Sequence, residues 1–134
     1  MPNLEPGASA SRTTVITDEM IRGFAEVTGD ANPVHLDDAY AAESRFGRRI
    51  AHGMIAAGFV SATLANDLPG PGTVYLGQTL KFKLPVFPGD EITATVEVIN
   101  VREDKPIVTL ATTCTNQDGD VVLEGEAVVM VTKG

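Results

Sequence analysis

The chain has 134 residues, 43% hydrophobic and 21% charged, which is the size of one domain with its own core and too apolar for a disordered chain. Ten Lys and Arg against eighteen Asp and Glu leave a net charge of −8, which argues against nucleic acid or an anionic membrane as partner, since both need a positive footprint. A single cysteine, Cys114, excludes an internal disulfide framework and a multi-cysteine zinc site.

Residues 1–11 are polar and contain Pro and Gly, so they predict a flexible tail ahead of a single domain over residues 12–134. Their order does not match a signal peptide, and no apolar run reaches the ~18 residues of a bilayer span. The expected compartment is the cytoplasm, with no membrane partner. Thr17 reads as a helix N-cap, followed by Asp18 and Glu19 in the first turn, where the helix dipole favours negative charge. Met20, Ile21, Phe24 and Val27 continue at helical spacing, and Gly29 suits a left-handed C-cap. A loop is expected over Asp30 to Leu36, then a short helix from about Asp37 to Phe46, stopped by Gly47.

A further helix is expected from His52-Gly53 to a point before Pro69-Gly70. It is almost uncharged on every side, the pattern of a buried helix. Strand-like runs follow near Val74–Leu84, Glu91–Arg102, Ile107–Asn116 and Val121–Val131. Turn sequences separate them at Pro88-Gly89-Asp90, Glu103-Asp104-Lys105-Pro106 and Gln117-Asp118-Gly119-Asp120. Short connections make antiparallel neighbours. Helices in one half of the chain and an antiparallel sheet in the other give the α+β class, with the sheet curled round the apolar helix.

The chemistry narrows by absence first. There is no phosphate loop, no dinucleotide fingerprint and no nucleophile elbow around Ser61. His35 and His52 have no Cys or Glu at metal-ligand spacing, so no metal is expected. Two features remain. Asp30-Ala31-Asn32-Pro33-Val34-His35 sets a carboxylate and an imidazole on one proline-stiffened loop, where they can hold a water and move its protons. The same residues also suit an ordinary turn with a surface histidine. Ala51-His52-Gly53-Met54 lies where the apolar helix starts, and N–H groups there can stabilise negative charge developing on a carbonyl oxygen. Gly53 would admit a substrate close to the backbone, or simply permit tight packing.

Together, Asp30-x-Asn32-Pro33-x-His35-x-Asp37 and Arg49-Ile50-Ala51-His52-Gly53-Met54 resemble the hydratase motif of MaoC-like hot-dog proteins. The resemblance extends through Leu76-Gly77-Gln78, Phe82-Lys83-Leu84-Pro85-Val86, Gly89-Asp90-Glu91, Arg102 to Ile107 and Gly125-Glu126-Ala127-Val128. Within the family the chain most resembles the single-domain (R)-specific enoyl-CoA hydratases that feed polyhydroxyalkanoate synthesis. The resemblance implies a hot-dog fold and water addition to a trans-2-enoyl-CoA, with no cofactor. Asp30 and His35 would be the catalytic pair, and the Gly53 N–H would bind the thioester oxygen. Asn32 would belong to the substrate contacts. Ser61, Leu64 and Val129 would line the acyl pocket, with Leu64 limiting it to roughly four to six carbons. It further implies a homodimer, pairing two sheets edge to edge with the CoA channel near the interface. Arg45, Arg48, Arg49, Lys81, Lys83 and Arg102 are candidate contacts for the CoA phosphates. Using the same residues in reverse, a (3R)-hydroxyacyl-carrier-protein dehydratase is the alternative enzyme, and a non-catalytic acyl-CoA-binding subunit is the alternative outside catalysis.

Overall fold

The computed structural model describes residues 4–132. Its elements run β1 (Ser9–Val15), α1 (Asp18–Thr28), α2 (Pro33–Leu36), α3 (Asp38–Ala42), α4 (Gly53–Asn66), β2 (Thr73–Gln78), β3 (Lys81–Phe82), β4 (Glu91–Val101), β5 (Ile107–Thr115) and β6 (Val121–Val131). The strands form one antiparallel sheet in the order β1-β4-β5-β6-β2, with β3 also paired to β6. This is the α+β hot-dog arrangement, a sheet curled around one central helix.

Alternation builds the inner face. On β4, Ile92, Ala94, Val96 and Val98 are fully buried and meet Val108 and Leu110 of β5, with Val122, Ala127 and Val129 of β6 beyond. Helix α4 lays Ile55, Ala56, Val60 and Leu64 on that face. Its small residues let the sheet come close: the Cys114 thiol on β5 donates to the Ala56 carbonyl at 3.6 Å. Burial pushes that thiol up to about 12, so Cys114 packs as a small apolar group.

The structure corrects several expectations. The flexible tail does not extend to residue 11. Ser9–Val15 is a strand, registered from Ser9 opposite Glu97 to Val15 opposite Glu91, and the Gly7 N–H bonds to the Val98 carbonyl at 2.9 Å. The strand was illegible because its residues are mostly exposed and polar; the order comes from its pairing partner. The expected loop over Asp30 to Leu36 contains α2, and the helix after it is only Asp38–Ala42. Val27 is 86% exposed, so α1 is buried through Ile21 and Ala25.

The run Val74–Leu84 breaks into β2 and β3 around Thr79. Its N–H and Oγ1 both bond to the Glu126 backbone, at 2.9 Å each. The Thr79 carbonyl passes so near Gly125 that a Cβ there would lie 1.8 Å from it. Only glycine fits at that position.

Candidate active site

The Asp30–His35 loop is assembled from local capping. Gly29 ends α1 at φ 82°, its N–H bonded to the Ala25 carbonyl at 2.8 Å, a left-handed cap that glycine takes without strain. The chain then turns. The Asp30 N–H bonds to Thr28 Oγ1 at 3.2 Å, and Asp30 Oδ1 accepts from the Asn32 N–H at 3.4 Å. Asn32 Oδ1 accepts from the Val34 N–H at 3.2 Å and caps α2, with Pro33 in the first turn. The Asn32 side-chain oxygen is therefore committed to shaping the loop.

One turn of α2 carries His35 inward, where it is 9% exposed. Its Nδ1 donates to the Ile50 carbonyl at 2.8 Å, which makes Nε2 the acceptor of the neutral ring. Arg49 braces the same residue from outside. It donates to the His35 carbonyl at 3.2 Å while pairing with Asp18 at 2.5 Å and Asp38 at 2.7 Å. The Asp18 carboxyl is held below the usual carboxylate range, by Arg49 first and Arg22 second. Arg49 thus ties α1, α2 and α3 together instead of presenting a free cation.

Sequence reasoning gave His52 no role. It is the N-cap of α4 and only 3% exposed. Its Nε2 donates to the Asp30 carbonyl at 2.9 Å, and its ring stacks on His35 with centroids 3.9 Å apart and planes at 30°. Phe24 also packs against it, with centroids 4.7 Å apart and planes at 47°. The His-Gly pair at a helix start was the available signal, but the motif does not reveal which way the ring turns.

Asp30, His35 and His52 each bring one side-chain polar atom to within 4.8 Å of the others. That spacing lets one water touch both Asp30 and His35. Among the described residues these three could also offer ligands to a metal. The His35 imidazole is held below its ordinary value, chiefly by burial and further by His52, against the raising effects of the Ile50 carbonyl and Asp30. It therefore stands neutral, ready to accept a proton.

Two cavities flank the cluster and share Met54. One, of about 410 Å³, is lined by His35, Gly53 and apolar side chains, with Arg45 and Lys83 also on its wall. The second, of about 760 Å³, is lined by Asp30, Phe24, Ala57, Ser61, Tyr75 and Leu80 among others. Its wall is the side of α4 that the core does not cover: Met54 and Gly58 are exposed, and Ala57 and Ser61 half-buried. Gly53 sits under the Phe82 ring so closely that a Cβ would lie 2.6 Å from Phe82 Cε1. The N-cap makes no side-chain bond to the first turn of α4, which leaves N–H groups there for a ligand.

The expected acyl-pocket set divides. Ser61 lines the second cavity, whereas Leu64 (1% exposed) and Val129 (0%) lie in the core and on neither cavity wall. The candidate phosphate contacts divide as well. Arg45 and Lys83 border the His35 cavity, and Lys83 lies 3.3 Å from Glu124. Arg48 stacks on Phe87 at 3.9 Å, and Arg102 pairs with Asp104 at 2.6 Å.

Known proteins resemble this chain over most of its length. The profile of the MaoC like domain matches residues 2–118. The chain is 50% identical over 127 residues to the (R)-specific enoyl-CoA hydratase of Aeromonas caviae, covering 95% of each. It is 50% identical over 129 residues to the (R)-specific enoyl-CoA hydratase of Rhodospirillum rubrum, covering 96% of this chain and 89% of that one. The solved structure of the (R)-hydratase from A. caviae involved in PHA biosynthesis superposes with a TM-score of 0.94 at 48% identity, over 98% of this chain and 100% of that one.

Proposed function

The chain belongs to the MaoC-like domain family, and we propose from that premise that it is an (R)-specific enoyl-CoA hydratase, adding water to trans-2-enoyl-CoA to give (R)-3-hydroxyacyl-CoA. The observation that carries this reading is the meeting of Asp30, His35 and the uncapped start of α4 at Gly53 between two cavities. An enoyl thioester is electrophilic at C3. Its carbonyl oxygen, set against the N–H of Gly53, takes up negative charge in the field of the helix terminus. A water held by the Asp30 carboxylate and the His35 Nε2 lone pair bonds to C3 through its oxygen. The C2–C3 electron pair moves onto the thioester as an enolate, and the water's proton passes to the Asp–His pair. The pair then returns one proton to C2 as the enolate collapses. The group that accepts also donates, so no cofactor enters the balance. Both side chains approach one face of the substrate, which makes the addition syn and fixes one configuration at C3.

The reading includes a homodimer. β2 lies at the edge of the sheet, and Val74, Tyr75, Leu76, Phe82 and Leu84 on and beside it are all at least 40% exposed. An apolar edge of this kind needs a cover. Tyr75 to Gln78 also wall the Ser61 cavity, so a second copy paired at this edge would close it. The cytoplasm remains the expected compartment. The test is turnover of crotonyl-CoA, 2-hexenoyl-CoA and 2-octenoyl-CoA with the product's configuration determined. The (R)-alcohol is expected; an (S)-product, or binding without turnover, would overturn the reading.

A further inference from the structure

The geometry points to His52 as a positioning residue of the hydration site, holding Asp30 by its backbone carbonyl and His35 by its ring. This rests on the reading of Asp30 and His35 as the reacting pair. Three observations carry it. His52 is nearly wholly buried, and its Nε2–H bonds to the carbonyl of Asp30 across 22 positions of sequence. Its ring packs against both Phe24 and His35. Its Nδ1 is buried with no hydrogen-bond partner among the described residues.

The last point decides between packing and positioning. An unsatisfied buried nitrogen is costly, and a leucine or phenylalanine in the same apolar surroundings would avoid that cost. What an imidazole offers there, and an apolar side chain does not, is the one bond to Asp30. That bond matters because Asp30 sits on an exposed turn, anchored locally by long bonds of 3.2 and 3.4 Å to Thr28 and Asn32. The link to His52 ties the turn to the start of α4, the element that presents Gly53. Carboxylate and oxyanion donor are thus held in one frame. The same ring also packs on His35, whose Nδ1 is bonded to the Ile50 carbonyl.

A loosened reacting group costs rate more than affinity, because substrate contacts along the cavities are unchanged. His52→Leu removes the donor and keeps the bulk; His52→Gln replaces the donor with an amide that can reach the same carbonyl. On crotonyl-CoA, H52L is expected to lower kcat by about tenfold or more with KM within about threefold, and H52Q to recover most of that loss. In the wild type, long-range nitrogen–proton NMR should show His52 as the Nε2–H tautomer and His35 as the Nδ1–H tautomer. Unchanged kcat in H52L, equal losses in H52L and H52Q, or an Nδ1–H tautomer at His52 would overturn the inference. The tautomer decides even where H52L does not fold. Asp30→Asn and His35→Gln run alongside: full activity in either overturns the parent reading, whereas losses there beside an intact H52L overturn this inference alone.

Discussion

The His35 and His52 rings touch with centroids 3.9 Å apart and planes tilted by 30°, and each commits one ring nitrogen to a backbone carbonyl, His35 to that of Ile50 and His52 to that of Asp30. The pairing fixes opposite tautomers on two touching rings, and burial together with the neighbouring His52 ring disfavours a charge on His35. The stack therefore favours the neutral state from which His35 can accept.

Asp30→Asn and His35→Gln should each lower turnover by at least ~100-fold, the scale of losing a positioned acid or base. Asp30 is exposed, and glutamine at position 35 keeps much of the bulk that packs on His52 and an amide that can donate to the Ile50 carbonyl, so the fold should survive both changes. Kinetics on crotonyl-CoA beside circular dichroism and melting curves check this. Near-normal turnover in either variant would reject the assignment.

Stability should fall as the solution is acidified. The folded His35 imidazole titrates below its ordinary value near ~6.5. From that pH downward the unfolded chain binds the proton more readily than the folded one, so unfolding gains with every proton taken up. His35's contribution is complete above about pH 6.5 and is lost as pH falls toward the lower folded value. His35→Gln should flatten this part of the profile. Melting temperatures of both proteins between about pH 8 and pH 5 give the comparison, and parallel curves would refute it.

Selectivity for acyl length should answer to Ser61 and not to Leu64. Ser61 is on the cavity wall and Leu64 in the core. Ser61→Leu fills space and should reduce catalytic efficiency on the eight-carbon enoyl-CoA relative to crotonyl-CoA by about tenfold, a few methylenes' worth of lost burial. Leu64→Ala should instead cost ~2–5 kcal/mol of stability and leave the ratio unchanged. A changed ratio in L64A at unaltered stability would return Leu64 to the pocket.

The β2 edge should hold two copies together. Val74→Lys places a charge on that edge, at a side chain 46% exposed in the single chain. Light scattering at low micromolar concentration is expected to give a dimer for the wild type and a shift toward monomer for the variant. A fully active wild-type monomer would end the edge-pairing picture.

Much of this protein was legible in sequence, because periodicity and capping are local. Thr17 and Gly29 bracket α1 as their types demand, β4 to β6 follow the alternating runs within a residue, and α4 starts where the charge disappears. The pairing of Asp30 with His35 was legible as a motif, since the loop joining them is short. What was not legible depends on partners distant in the chain. Ser9–Val15 becomes a strand through β4, some eighty residues on. α4 reads as apolar on every side, yet only the packing of β4 on one side and of β2 near the other shows which side is core and which is cavity wall, and so separates Leu64 from Ser61. Arg49 could have met a phosphate until its ion pairs with Asp18 and Asp38 appeared. His52 could have turned either way; a ring's direction is set by what surrounds it, and here that is Phe24, His35 and the carbonyl of Asp30.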